Sequence, residues 1–178
     1  ISCTASALCI AAFAAIMLTD KDLLFGERTN KLSLLADQKD WEGIIAEVPY
    51  DEAVKSKILT DYVLLAMSAT DNLPQVLFSY PISSPEDFLY RHDKRTFYTN
   101  FNRQFYDNIG IWDEAFHQAF EYGVTQRENE CFRSLRFKID YALNSCDLGV
   151  ARSYLELLQK SVCNGDFVKG RMHRLVAL

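Results

Sequence analysis

Along this chain the apolar positions recur at the helical period, and strict two-residue alternation is nowhere sustained. Leu59, Val63, Ala66 and Met67 form one stripe, and Phe97, Phe101, Phe105 and Ile109 a second. Phe132, Leu135, Ile139 and Ala142 form a third, and Leu148, Ala151, Leu155 and Leu158 a fourth. The punctuation agrees with this pattern. Thr19-Asp20-Lys21-Asp22 and Thr125-Gln126-Arg127-Glu128 read as capping boxes. Ser84-Pro85-Glu86-Asp87 offers a cap, a proline at the first helical position and acids in the first turn. Asn164-Gly165 reads as a helix stop. Pattern and punctuation predict helices at roughly 3–18, 21–37, 40–47, 53–70, 72–79, 85–91, 94–109, 112–123, 127–145, 147–162 and 166–176.

One local pattern repeats. A polar turn is followed by a bulky apolar residue and, three positions on, by another apolar residue. It occurs at Asp40-Trp41 with Ile44, Asn72-Leu73 with Val76, Ile111-Trp112 with Ala115, and Asp147-Leu148 with Ala151. The bulky anchors are spaced by about 32, 39 and 36 residues, near the roughly 34-residue period of tetratricopeptide repeats. Each unit is then a helix, a tight turn and a second helix opening at the anchor. A lone hairpin cannot bury both of its stripes, whereas stacked neighbours bury a continuous core. The fold class expected is all-α, built from tandem antiparallel helix hairpins.

The stretch from Phe105 to Phe116 is the clearest unit. It resembles a tetratricopeptide hairpin, with Tyr106 late in the first helix and Asp113-Glu114-Ala115 opening the second. Ala115 and Ala119 are small enough for close helix approach. Arg103 stands where such a hairpin has a small residue, and Phe101 and Phe105 carry the apolar face instead. The chain as a whole resembles the soluble tail of an uncharacterised family of bacterial integral membrane proteins, a domain of unknown function. Leu34 through Trp41, Val76 through Pro81, Phe105 through Glu121, and Gly149 through Ser161 carry that resemblance. It implies a final membrane helix followed by a tetratricopeptide-like region, in a bacterial cell membrane. It implies no reaction.

Ile1 to Leu18 carries no charge, and Ala5 to Leu18 is almost wholly apolar. About 18 such residues is the lower edge of a membrane span. From the residues alone three readings stand: a transmembrane helix of a larger protein, the apolar core of a signal peptide with Ala12-Phe13-Ala14 as the small-residue site, or a buried helix. The organisation expected is a hydrophobic segment at 1–18 and a helical-repeat domain at 19–178. The flanking residues Asp20 to Lys31 give no basic excess, so the side of the membrane is not legible.

Charge and chemistry narrow the function classes. The net charge is −5, so the chain as a whole has no electrostatic attraction to nucleic acid. The 5 cysteines contain no C-x-x-C pair, and no Cys/His cluster has zinc-ligand spacing. They read as reduced thiols used as small apolar side chains. The 3 histidines, His92, His117 and His173, are far apart, and none of the familiar nucleophile, phosphate-loop or metalloprotease motifs occurs. Paired acids such as Asp51/Glu52 and Asp113/Glu114 open helices, where the helix dipole accounts for them. No cofactor and no metal is expected, and the chain is not read as an enzyme.

First helices of such repeats line a concave groove. Arg133, Arg136 and Asp140 lie off the apolar stripe of one first helix, and Asn102, Arg103 and Tyr106 off that of the preceding one. These six residues are the candidate partner-binding set, suited to an acidic segment or a terminal carboxylate. The expected function is a membrane-tethered interaction domain for a protein or peptide partner. The competing reading is the non-catalytic helical part of a membrane enzyme or transporter whose active region lies upstream.

Overall fold

The computed structural model describes residues 21–90, 96–125 and 131–178. Among them the secondary structure is entirely helical. The α-helices are α1 (Lys21–Asp37), α2 (Trp41–Glu47), α3 (Tyr50–Ala53), α4 (Lys57–Ala69), α5 (Leu73–Val76), α6 (Thr96–Asn108), α7 (Trp112–Thr125), α8 (Phe132–Asn144), α9 (Leu148–Gln159) and α10 (Gly165–Ala177). Single 3₁₀ turns occur at Leu77–Ser79, Pro85–Phe88 and Val162–Asn164. The chain divides into two compact units at Pro81/Ile82. Ile1–Leu18, the Thr19–Asp22 box up to Asp20, and Gln126 to Glu128 lie outside the described residues. No helix among the described residues is long and apolar enough to cross a membrane.

The same backbone device closes each repeated turn. Lys39, Asp71 and Cys146 have φ of 58°, and Gly110 has φ of 78°. Each sits two positions before an anchor residue. The amide of the residue after it reaches back five residues: Asp40 N to Leu35 O at 2.9 Å, Asn72 N to Met67 O at 2.9 Å, Ile111 N to Tyr106 O at 2.9 Å, and Asp147 N to Ala142 O at 2.9 Å. The left-handed residue itself donates to the carbonyl three back, as Lys39 N does to Ala36 O at 3.1 Å. This is the Schellman closure, which satisfies the last carbonyls of a helix. The residue that completes it also caps the next helix. Asp40 accepts from Gly43 N at 2.9 Å and Asp147 from Val150 N at 3.2 Å.

In the unit up to Pro81, α4 is the centre. Ile58 to Ala66 are all buried, the polar Thr60 and Asp61 among them, so the helix is enclosed on every side. α1, α2 and α3 pack on it and contribute Leu32, Ile44 and Ala53. Thr60 Oγ1 donates to Ala53 O at 2.7 Å. Arg28 pairs with Glu52 and donates to Glu47 O at 2.8 Å, and Lys31 pairs with Glu47. A single helix was expected over 53–70. The chain instead turns at Val54-Lys55-Ser56, because Ser56 is extended (φ −142°) and restarts the helix as its cap. The helix expected at 72–79 is a short α5 followed by a 3₁₀ turn.

In the unit from Ile82, α6 and α7, then α8 and α9, form hairpins, and α10 packs on both α8 and α9. Ala115 and Ala119 are fully buried, so α7 can lie close to its neighbour. Leu135, Ile139, Ala142, Leu143, Ala151, Leu155, Leu158, Val168 and Leu175 form one core. Phe132, placed in that stripe from sequence, is 52% exposed, while Leu135, Ile139 and Ala142 are buried. Phe132 is the first helical residue, flush against the cap, where the stripe has already turned out of the core. The helix expected at 85–91 is only the 3₁₀ turn: Asp87 Oδ2 accepts from Ser83 N at 2.8 Å and Ser84 N at 2.9 Å, so the start is capped but does not propagate. At Asn164-Gly165, read as a stop, Asn164 caps α10 and Gly165 begins it.

Candidate functional site

α6 buries six consecutive residues, Thr99 to Gln104, and most of them are polar. Phe101 is the apolar anchor at 0% exposure. Asn102 clamps a strand of backbone: Tyr90 N donates to its Oδ1 at 3.1 Å and its Nδ2 donates to Tyr90 O at 3.2 Å. The Tyr90 ring stacks on Tyr98 with centroids 4.0 Å apart. Buried amides must find partners, and here they do so by fastening a loop to the helix. Arg103 Nε donates to Asn100 Oδ1 at 3.1 Å, and its guanidinium lies 5.1 Å from the Phe137 ring centroid. Asn102 and Arg103 are therefore interior residues rather than groove residues. The loop at Tyr90 lies against Asn102, and the Phe137 ring of α8 lies against Arg103.

Arg103 and Arg133 are brought together at Tyr122. Burial holds the Tyr122 phenol neutral, pushed up to about 12, reinforced by Cys131 and its hydrogen bond; the two arginines pull weakly the other way. Tyr106 is half-buried, its ring edge-on to Phe105 with centroids 5.7 Å apart.

Arg136 and Asp140 are engaged elsewhere. Arg136 donates from Nε and NH2 to Asn164 Oδ1 at 2.9 and 2.6 Å and lies 5.1 Å from the Phe167 ring. Arg171 holds Asp140 through Nε at 2.6 Å and NH2 at 3.0 Å, and its guanidinium is 4.5 Å from the same ring. Arg174 NH2 reaches Asn144 Oδ1 at 2.8 Å. Partners advance in the same direction on both helices, so α8 and α10 run parallel. The side of α8 expected to face a partner thus pairs with α10 in a polar ladder, in which Arg136 stays exposed and Asp140 half-buried. Of the six candidate residues, Tyr106 and Arg133 are half-buried, Asn102 and Arg103 are buried, and Arg136 and Asp140 belong to the ladder.

A feature missed in the sequence lies on α7. Trp112, Phe116, Phe120 and Val124 follow one another at one-turn spacing. Trp112 is 56% exposed, Phe120 51% and Val124 66%. Phe116 stacks on Tyr141 at 4.4 Å, and the Tyr141 hydroxyl donates to Asp113 Oδ1 at 2.5 Å. That bond raises the Tyr141 phenol above its ordinary value. Behind the stripe, Lys138 is buried with Nζ 5.0 Å from the Phe120 ring and 5.9 Å from Tyr154, a cation between aromatic faces. The signal was available: the stripe sits one position from the Ala115–Ala119 face that the hairpin pattern assigns to the core.

The remaining candidate chemistry is dispersed. His117 is exposed, 3.3 Å from Glu114 and 3.8 Å from Glu121. His92 lies outside the described residues. Cys146 and Cys163 are exposed, so they do not serve as apolar filler; Cys146 occupies a left-handed turn. Among the described residues no group of His, Cys, Asp and Glu could hold a metal ion.

No curated protein and no solved structure matches the chain. Residues 4–177 match a family of unknown function (DUF6057). The chain therefore belongs, over residues 4–177, to that family of unknown function.

Proposed function

We propose that this chain is a tetratricopeptide-like interaction module that holds a protein or peptide partner by binding rather than turnover. The observation behind this reading is the recurrence of one turn. A left-handed residue, a shared cap and an anchor recur at Lys39–Trp41, Asp71–Leu73, Gly110–Trp112 and Cys146–Leu148. On this reading the hairpins so joined are repeat units, and arrays of such hairpins present broad preformed surfaces. The parallel pairing of α8 with α10 supports the same reading. On this proposal the uncharged segment Ile1–Leu18 tethers the module to a bacterial membrane.

Site-specific photocrosslinking in the native cell tests the binding reading. A photoreactive residue is placed singly at exposed positions: Leu34, Trp112, His117, Leu157 and His173. Neighbouring positions on one face should give adducts of one common mass. Absence of a discrete adduct at every position would remove the interaction reading. The tether has a separate test: a chain starting at Thr19 should fractionate without detergent and one including Ile1–Leu18 should require it.

A further inference from the structure

α7 has two faces of opposite character. Ala115 and Ala119, both fully buried, face the core. Trp112, Phe120 and Val124, each more than half exposed, leave an apolar strip along the full length of the helix. The strip is held in place: Phe116 is pinned by the Tyr141 ring at 4.4 Å, and Tyr141 is pinned by Asp113 at 2.5 Å. A preformed surface loses little side-chain entropy on binding. The permanent charges on α7 itself have one sign, with His117 lying 3.3 Å from Glu114 and 3.8 Å from Glu121. Asp113, Glu114 and Glu121 are acidic, and Trp112–Thr125 contains no lysine or arginine. The cation behind the strip, Lys138, is 2% exposed and presents no charge to solvent.

We infer that this face of α7 docks a basic amphipathic helix of a partner protein. The inference rests on the interaction reading above and adds the partner's chemistry. An aromatic strip repeating every turn accepts the apolar face of a helix through its i, i+3, i+4 and i+7 side chains. The exposed ring faces attract cations, and the carboxylates at the rim pair with lysine or arginine flanking the partner's apolar stripe. The same carboxylates repel an acidic segment and an anionic lipid surface.

The test uses the full chain carrying Trp41→Phe, which leaves Trp112 as its sole tryptophan. It is titrated with a leucine/lysine amphipathic peptide of about four turns and with its leucine/glutamate counterpart. The leucine/lysine peptide should shift Trp112 emission to the blue in a saturable, salt-sensitive manner, and the leucine/glutamate peptide should not. Phe120→Ala should weaken binding about tenfold. The surface variant Glu114→Gln/Glu121→Gln, which leaves the apolar strip intact, should weaken it and flatten its salt dependence. Equal binding of both peptides, no saturable shift, or a shift explained by self-association in sedimentation would overturn the inference. If the peptide fails while crosslinks map to another face, this inference alone falls. If crosslinks are also absent, the interaction reading falls with it.

Discussion

Arg171 grips Asp140 with two nitrogens on two oxygens, Nε on Oδ1 at 2.6 Å and NH2 on Oδ2 at 3.0 Å. The same guanidinium lies over the Phe167 ring. A lysine keeps the charge but neither the fork nor the planar stacking. Arg171→Lys should therefore cost about 1 kcal/mol, since both side chains remain roughly one-third exposed (37% and 35%). Urea unfolding measures it. A midpoint equal to that of the parent chain would show that the ladder contributes nothing to stability.

Two glycines near helix starts should respond oppositely to alanine. At Gly43 a Cβ would sit 2.5 Å from Asp40 Oδ2, the carboxylate that caps α2. Alanine there displaces the cap, worth about 1 kcal/mol, and adds a steric conflict to any propensity gain. At Gly149 the corresponding contact with Asp147 Oδ1 is 3.8 Å, ordinary packing. Gly43→Ala should lower stability by about 0.5 to 1 kcal/mol, and Gly149→Ala should raise it by about 0.5 kcal/mol. Thermal melts of the two variants in parallel decide the matter by sign.

The left-handed turns predict a second opposed pair. Cys146 has φ of 58°, where a Cβ costs about 1 to 2 kcal/mol, offset in part by the greater chain entropy that glycine has when unfolded. Cys146→Gly should gain about 0.5 kcal/mol. Gly110, at φ of 78°, should lose about 1 to 2 kcal/mol on conversion to alanine. Should both variants melt like the parent chain, strain in these turns is not what shapes the hairpins.

Tyr122 supplies a pH prediction. Its phenol is raised from 10.0 to about 12, first by burial and then by Cys131. The folded state keeps this proton where the unfolded state releases it. The stabilising contribution is full below pH 10 and is lost as pH rises toward 12. Ultraviolet titration should show a tyrosine ionising near pH 12 whose step Tyr122→Phe removes, and the variant should lose less stability over that alkaline range. An unchanged titration curve would place Tyr122 in solvent.

Much of the architecture was legible because local rules and tertiary packing agree. Of the residues three after the four anchors, Ile44, Ala115 and Ala151 are fully buried, while Val76 is only half-buried. The anchors are less uniform: Trp41, Leu73 and Leu148 are half-buried and Trp112 is 56% exposed, because the repeated element is the turn that precedes the anchor rather than the anchor's bulk. The groove residues were harder to read for a different reason. Periodicity places Arg136 and Asp140 off the core of α8, but it cannot reveal that α10, sharing no pattern with them, lies alongside. Likewise nothing in the order Thr99-Asn100-Phe101-Asn102-Arg103-Gln104 announces that polar residues will be enclosed; that depends on the loop at Tyr90 folding back over them. Breaks within expected helices, as at Ser56, arise from single extended residues that an apolar stripe passes over unchanged.

Because Asp40, Asn72, Ile111 and Asp147 each finish one helix and open the next, these corners have no slack. One residue added at such a corner would swing the following rod by about 100° and carry its buried flank toward water. Length variation among related chains should accordingly gather in the joints between hairpins, such as 80–84 and 160–161, and leave the corners at one fixed size.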